Sequence, residues 1–145
     1  ILTSVDTNIL VYAVDPDSPW HVQAREFLQG VDSDNDEFVL CELILIELYM
    51  TLRNPAIFVK PYSAREAAGY CQALRHHPRW RVVDYDALIA KQLWEWAATS
   101  NSKLRHIIDA RIALTLRHHG VTHFATANTK DFQGFGFTKV FNPII

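Results

Sequence analysis

Leu2-Thr3-Ser4-Val5-Asp6-Thr7-Asn8-Ile9-Leu10-Val11-Tyr12-Ala13-Val14 decides the reading of this chain. Residues 2–6 have the length and apolar character of a short buried strand, and Thr7 to Val14 read as a short helix that ends near Pro16. Asp6 stands at the joint. A strand passing directly into a helix opens a βαβ unit, and the rest of the chain repeats the alternation.

A helical segment follows from about Pro19 to Gly30, with Pro19 acceptable in a first turn. Asp32-Ser33-Asp34-Asn35-Asp36-Glu37 is a turn signal with solvated acids, Glu37 to Cys41 a second strand, and Glu42 to Arg53 a helix stopped by Asn54-Pro55. Ser63-Ala64-Arg65-Glu66 has the capping-box pattern and opens a helix to about His76. Arg81 to Tyr85 is a third strand. Asp86 caps a helix to about Thr99, and Leu104 to His119 forms another that closes at Gly120. Val121 to Thr126 is a fourth strand and Lys139 to Phe141 a fifth. Strands alternating with helices of this length imply an α/β fold with a parallel sheet covered on both faces, whose functional groups collect beyond the carboxyl ends of the strands. Asp6 ends the first strand, and Asn128 and Asp131 follow the fourth, so two separate segments converge on one edge.

At 145 residues, 49% hydrophobic and 21% charged, the chain is long enough for one core and short for two, and we read residues 1–145 as a single domain. Its longest apolar stretches, such as Phe38 to Leu48, fall well short of a membrane span, and Asp6 and Asn8 interrupt any signal-peptide pattern. Two cysteines without metal-binding spacing, Cys41 and Cys71, favour reduced thiols and a cytoplasmic setting. A net charge of -2 argues against coating nucleic acid by bulk charge, but leaves a nuclease open.

Four acids sit at apolar places: Asp6, Glu47, Asp109 and Asp131. A carboxylate removed from water costs several kcal/mol unless it is paired or binds a metal, and few Lys or Arg residues stand nearby in sequence. Hard cations such as Mg²⁺ and Mn²⁺ take carboxylate and water oxygens, so a divalent-ion site fits. Each acid also has a plainer reading. Asp6 is a good helix N-cap. Glu47 lies in a helix so apolar that it reads as buried nearly all round, yet it could be hydrogen-bonded there. Asp109 has Arg105 at i−4 for a surface ion pair, against apolar flanks that argue for burial. Asp131 suits a turn. Glu42 stands five residues before Glu47, a rotation of roughly 140°, so the two face different ways, and Glu42 is assigned to the first-turn dipole. The joint arrangement carries more than any acid alone.

His76-His77 and His118-His119 each end a helix, where a positive imidazole is favourable, and adjacent helical residues diverge, so structural roles are preferred over zinc. Trp80, Trp94 and Trp96 read as core or interface residues rather than base-stacking platforms.

With these segments in place the chain resembles the PIN-domain nucleases and, among them, the VapC-type toxins of prokaryotic toxin–antitoxin modules. The matching pieces are Val5-Asp6-Thr7-Asn8-Ile9-Leu10-Val11-Tyr12, Glu47-Leu48-Tyr49 before Leu52-Arg53-Asn54-Pro55, Ile108-Asp109-Ala110, and Thr126-Ala127-Asn128-Thr129-Lys130-Asp131-Phe132. They span residues 5 to 132. The resemblance implies a three-layer α/β/α sandwich with about five parallel strands and an endoribonuclease site using one or two Mg²⁺ or Mn²⁺ ions, which would activate water and neutralise charge at the scissile phosphate. It makes Asp6, Glu47, Asp109 and Asp131 the catalytic and metal-binding quartet, with Asp6 and Asp109 the foremost ligands. Thr7, Asn8, Thr126 and Asn128 would orient ligands or water. It also implies an RNA substrate, a homodimer and a small VapB-like antitoxin. The alternatives are a PIN nuclease of RNA processing without an antitoxin, and a catalytically silent or receiver-like binding domain. A receiver needs a Lys at the end of a late strand, which Lys130 matches poorly, and a DxDxT phosphatase fails at Asp6-Thr7-Asn8.

Overall fold

The computed structural model describes residues 1–30, 37–101 and 103–145. Its strands are β1 (Leu2–Val5), β2 (Glu37–Cys41), β3 (Trp80–Val83), β4 (His123–Ala125) and β5 (Lys139–Phe141), joined into one sheet of order β3-β2-β1-β4-β5 with every pairing parallel. The helices are α1 (Thr7–Val14), α2 (His21–Gly30), α3 (Glu42–Leu52), α4 (Ala64–Arg75), α5 (Ala87–Thr99) and α6 (His106–His118), and a 3₁₀ turn covers Thr129–Phe132. The chain steps from β1 to β2 to β3 in one direction, then crosses back to β4 and on to β5. Right-handed crossovers therefore place α1 to α4 on one face and α5 and α6 on the other. Within these layers α1 packs on α2 and α3, α3 on α4, and α5 on α6. The result is the three-layer parallel α/β sandwich that the alternation implied.

The core fills both faces of the sheet. Phe38, Leu40, Ile44, Leu48 and Leu52 are fully buried on and behind β2 and α3, and Phe124 meets Phe132 with ring centroids 4.5 Å apart. Local chemistry sets the boundaries. Ser63 and Glu66 form the reciprocal capping box at α4, Asp86 accepts from the Ile89 N–H to start α5, and Gly120, at φ 87°, ends the turn after α6.

Several boundaries differ from the sequence reading. Helix α2 begins at His21 rather than Pro19, because the Ser18 hydroxyl accepts from the Trp20 N–H and holds Pro19-Trp20 in a turn. Helix α6 begins at His106 rather than Leu104, after a turn closed by the His106 N–H on the Lys103 carbonyl. β3 starts at Trp80, and β4 is only three residues long. The turn signal at residues 32–36 lies outside the described residues.

The larger correction concerns α3. It is not buried all round: Ile46 is 51% and Met50 63% exposed, while Ile44, Leu45, Leu48 and Leu52 face the core. Apolar composition on every side hid the direction of burial. Trp80 packs edge-on against Phe38 at 4.5 Å and Trp96 against Phe135, whereas Trp94 is exposed.

Candidate acidic site at the carboxyl edge of the sheet

The order β3-β2-β1-β4-β5 places the reversal of direction between β1 and β4, where a crevice opens beyond the strand ends. Val5 pairs with Ala125, and the Asp6 N–H donates to the Ala125 carbonyl at 2.8 Å, so the two strands leave the sheet together. Asp6 emerges from one and Thr126 from the other.

Asp6 is buried, and its side chain is held from three directions. Oδ1 accepts from the Thr7 N–H at 2.8 Å, and Oδ2 accepts from the Thr126 hydroxyl at 2.7 Å and from the Asn8 amide at 3.5 Å. The residue is thus the N-cap of α1, as its position at the joint suggested. Burial raises its pKa, opposed by the Thr126 and Thr7 hydrogen bonds and reinforced by the Asp131 charge. No Lys, Arg or His side chain pairs with it among the described residues.

Glu47 projects from the half-buried side of α3. Its Oε1 accepts from the Thr7 hydroxyl at 3.2 Å, and burial, then the Asp6 charge, pushes its pKa up to about 7. Asp109, in the first turn of α6, is half-buried rather than enclosed, since Ile108 beside it is exposed. Burial, then the charges of Asp6 and Asp131, raises Asp109 to about 6, and the surface pair with Arg105, its plainer reading, does not form among the described residues. Asp131 sits in the 3₁₀ turn, where its N–H donates to the Asn128 carbonyl.

A cleft of about 360 Å³ brings together Asp6, Thr7, Asn8, Glu47, Asp109 and Asn128. Asp131 lies across Asp109 in an adjoining opening of about 390 Å³. Three of the four acids therefore share one cleft, and Asp109 links them to the fourth. Of the four polar positions, Thr7, Asn8 and Thr126 each hold a carboxylate. Asn128 instead donates its backbone N–H to the Thr126 hydroxyl at 3.0 Å, and the Ala127 N–H reaches the Asn8 amide oxygen.

This donor set suits a hard divalent cation, being oxygen-rich and mutually repulsive, and none of its acids forms a salt bridge among the described residues. Among the described residues no three His, Cys, Asp or Glu side chains stand close enough to grip one ion directly. Mg²⁺ in general is held by one or two carboxylates, with water filling most of its shell. The oxygen donors that line the cleft are of the type such an ion takes.

Glu42 faces away from the cleft, as the rotation along α3 required. It occupies the first turn and also pairs with Arg75 of α4, a contact 33 residues distant that local reading could not supply. The histidine pairs stand elsewhere: His118 lies 3.9 Å from Asp86, and a His119 ring nitrogen lies 3.4 Å from the Asp84 carbonyl. Sequence reasoning missed Tyr12, Thr51 and Ile57, which line the cleft, and His106, which touches the backbone of Asp131. Tyr12 follows Asn8, and Thr51 follows Glu47, by one helical turn, so the i+4 spacing carried a signal. Ile57 belongs to the link after α3 and carried none.

Comparison with known proteins agrees with this geometry. The PIN domain family model matches residues 4–137. Ribonuclease VapC24 of Mycobacterium tuberculosis strain H37Rv is 46% identical over 143 residues, covering 99% of this chain and 97% of that protein. Among solved structures, Mycobacterium tuberculosis VapC20, described as a sarcin-ricin loop cleaving toxin, aligns with a TM-score of 0.65 at 20% identity, covering 84% of this chain and 86% of that one. VapBC2 from Rickettsia felis, bound to a DNA fragment from its promoter, aligns with a TM-score of 0.64 at 17% identity over 98% of each chain. At that identity the structures speak for the fold, while the near full-length match to VapC24 speaks for descent. An acid-lined crevice at the β1/β4 reversal, on a chain matched from residue 4 to residue 137, places this protein in the PIN-domain family and, within it, among the VapC relatives.

Proposed function

We propose that the chain, one PIN domain from residue 1 to residue 145, is a Mg²⁺- or Mn²⁺-dependent endoribonuclease and the toxin of a VapBC-type toxin–antitoxin pair. The observation that carries the reading is the cleft itself: Asp6, Glu47 and Asp109 line it together, burial raises all three pKa values, and among the described residues none of the three forms a salt bridge. The 46% identity to a protein named as a ribonuclease supports the substrate class.

A bound divalent ion would supply Lewis-acid activation of water and charge neutralisation at the phosphodiester. Asp6 and Asp109 would hold it. Thr126, Asn8 and the Thr7 N–H fix the Asp6 carboxylate at the cleft wall, leaving acceptor capacity on Oδ1. Glu47, steadied by the Thr7 hydroxyl, would orient the attacking water. Asp131 completes the acidic rim beyond Asp109.

The partner half of the proposal rests on the VapC likeness and the uncompensated acids. A small VapB-like antitoxin would lay a basic side chain over the cleft and pair with the quartet by charge-assisted hydrogen bonds, and the toxin would act as a homodimer in the cytoplasm. No helix among the described residues is long and apolar enough to cross a membrane.

The test is cleavage of total cellular RNA by the purified protein, freed of any antitoxin, in Mg²⁺ or Mn²⁺ and in EDTA, with cut ends mapped against Asp6→Asn. Metal-dependent cuts that vanish in the variant are expected. No cleavage in either metal would end the nuclease reading. Co-purification with the product of the neighbouring small gene tests the toxin half: a neighbour that neither binds nor inhibits removes the antitoxin and leaves the nuclease.

A further inference from the structure

Asp109 lines two openings, the acidic cleft and a second one of about 390 Å³ whose other walls are Asn101, Lys103, Arg105, His106 and Asp131. The two therefore meet at one carboxylate. Lys103 and Arg105 are exposed, and among the described residues neither side chain has an ion-pair or hydrogen-bond partner, although two carboxylates share their opening. Arg105 also occupies the N-cap position of α6 without offering a side-chain acceptor, so the positive end of a 13-residue helix faces the same region without a capping side chain. A cluster of acids repels a polyanion, and the chain's net charge of -2 gives no general attraction. The attraction must be local.

We propose that Lys103 and Arg105, with Asn101 beside them, form a subsite for the backbone phosphates of the RNA strand next to the bond that is cut. The proposal rests on the endoribonuclease reading. Arg105 offers a planar fork that matches two phosphate oxygens, Lys103 a mobile point charge, and Asn101 a neutral donor. Phosphate contacts of this kind fix register without reading sequence, so this opening decides on which side of Asp109 the strand continues.

The measurement is fluorescence anisotropy of a labelled single-stranded oligouridine on the full chain in EDTA, which prevents cutting, across a salt series. Removing one cation that neutralises a phosphate should flatten the slope of log affinity against log salt by about 0.7, so Lys103→Ala with Arg105→Ala should flatten it by about 1.4. Arg105→Lys keeps the charge and should retain the slope. Arg65→Ala, an exposed cation on α4, serves as the remote control and should leave the slope unchanged. In Mg²⁺ the double variant should raise KM more than it lowers kcat. A slope unchanged in the double variant, with wild-type cleavage intact, would overturn the subsite and spare the nuclease, as would an equal flattening by Arg65→Ala, which marks diffuse binding. A wild-type chain that neither binds nor cuts RNA would overturn both.

Discussion

His106 Nε2 lies 2.7 Å from the carbonyl oxygen of Asp131 and ties the first turn of α6 to the 3₁₀ turn that carries the fourth acid. A carbonyl oxygen only accepts, so Nε2 is the protonated nitrogen and the donor. The ring packs in a three-ring cluster with Trp96 and Phe135, at centroid distances of 5.4 and 5.6 Å. His106→Ala should cost about 1 kcal/mol of stability and lower kcat by about tenfold through loss of Asp131 placement. His106→Gln, whose amide can reach the same carbonyl, should recover part of the rate. Equal losses in both would assign the effect to ring packing instead.

The pKa shifts set a pH dependence for the ion-free protein. Burial holds Glu47 at about 7 and Asp109 at about 6, above the roughly 4 of free carboxylates. Between those limits the folded chain keeps protons that the unfolded chain has released. Their contribution is therefore fully present at low pH and is lost as pH rises through the folded values. Melting temperature in EDTA should fall from pH 4.5 to 7, and Glu47→Gln or Asp109→Asn should flatten the fall. A profile that rises over this window would contradict the shifts.

Glu47 and Glu42 should separate cleanly. Glu47→Gln removes a cleft carboxylate and should abolish most cleavage, while Glu42→Gln touches only the α3 dipole and the partly exposed pair with Arg75. The second change should cost about 1 kcal/mol of stability with activity kept, and a double-mutant cycle with Arg75→Ala should show non-additivity. Paired melts and RNA cleavage assays check it.

Ion binding should appear as stabilisation. At pH 7 excess Mg²⁺ relieves the repulsion among the acids, and at about 100 times its Kd it should add about 2.7 kcal/mol, seen as a raised Tm. Asp109→Asn should hold or raise the ion-free Tm and erase most of the Mg²⁺ increment. An increment that persists would place the ion elsewhere.

The alternation of strands and helices was legible because each boundary has a local cause, such as Asp86 before Ile89 or Gly120 after α6. That Asp6, Glu47 and Asp109 line one cleft could be anticipated because each ends an apolar strand or interrupts an apolar helix, whereas Asp131 follows Lys130 in a turn and carried a weaker signal. The arrangement in space was less so. That Asp131 sits across Asp109 from the other acids follows from the 3₁₀ turn after β4, and the Glu42–Arg75 pair and the His106–Asp131 contact join residues far apart in the chain. The error at α3 has the same origin: Ile46 and Met50 look like core residues until neighbours decide which side is covered.

Asp6 caps α1 and is clasped by Thr7, Asn8 and Thr126, so neighbouring polypeptide groups fix its position. The crevice is a preformed socket, and occupancy demands little ordering of the polypeptide. Under the proposed function, switching on would then depend on cation supply and on whether a partner blocks the entrance, while the folded body persists through loading and release. Asp6→Asn would keep the Thr7 N–H bond and the cap through its oxygen, but its amide nitrogen cannot accept from the Thr126 hydroxyl or the Asn8 amide, so the clasp itself depends on a carboxylate.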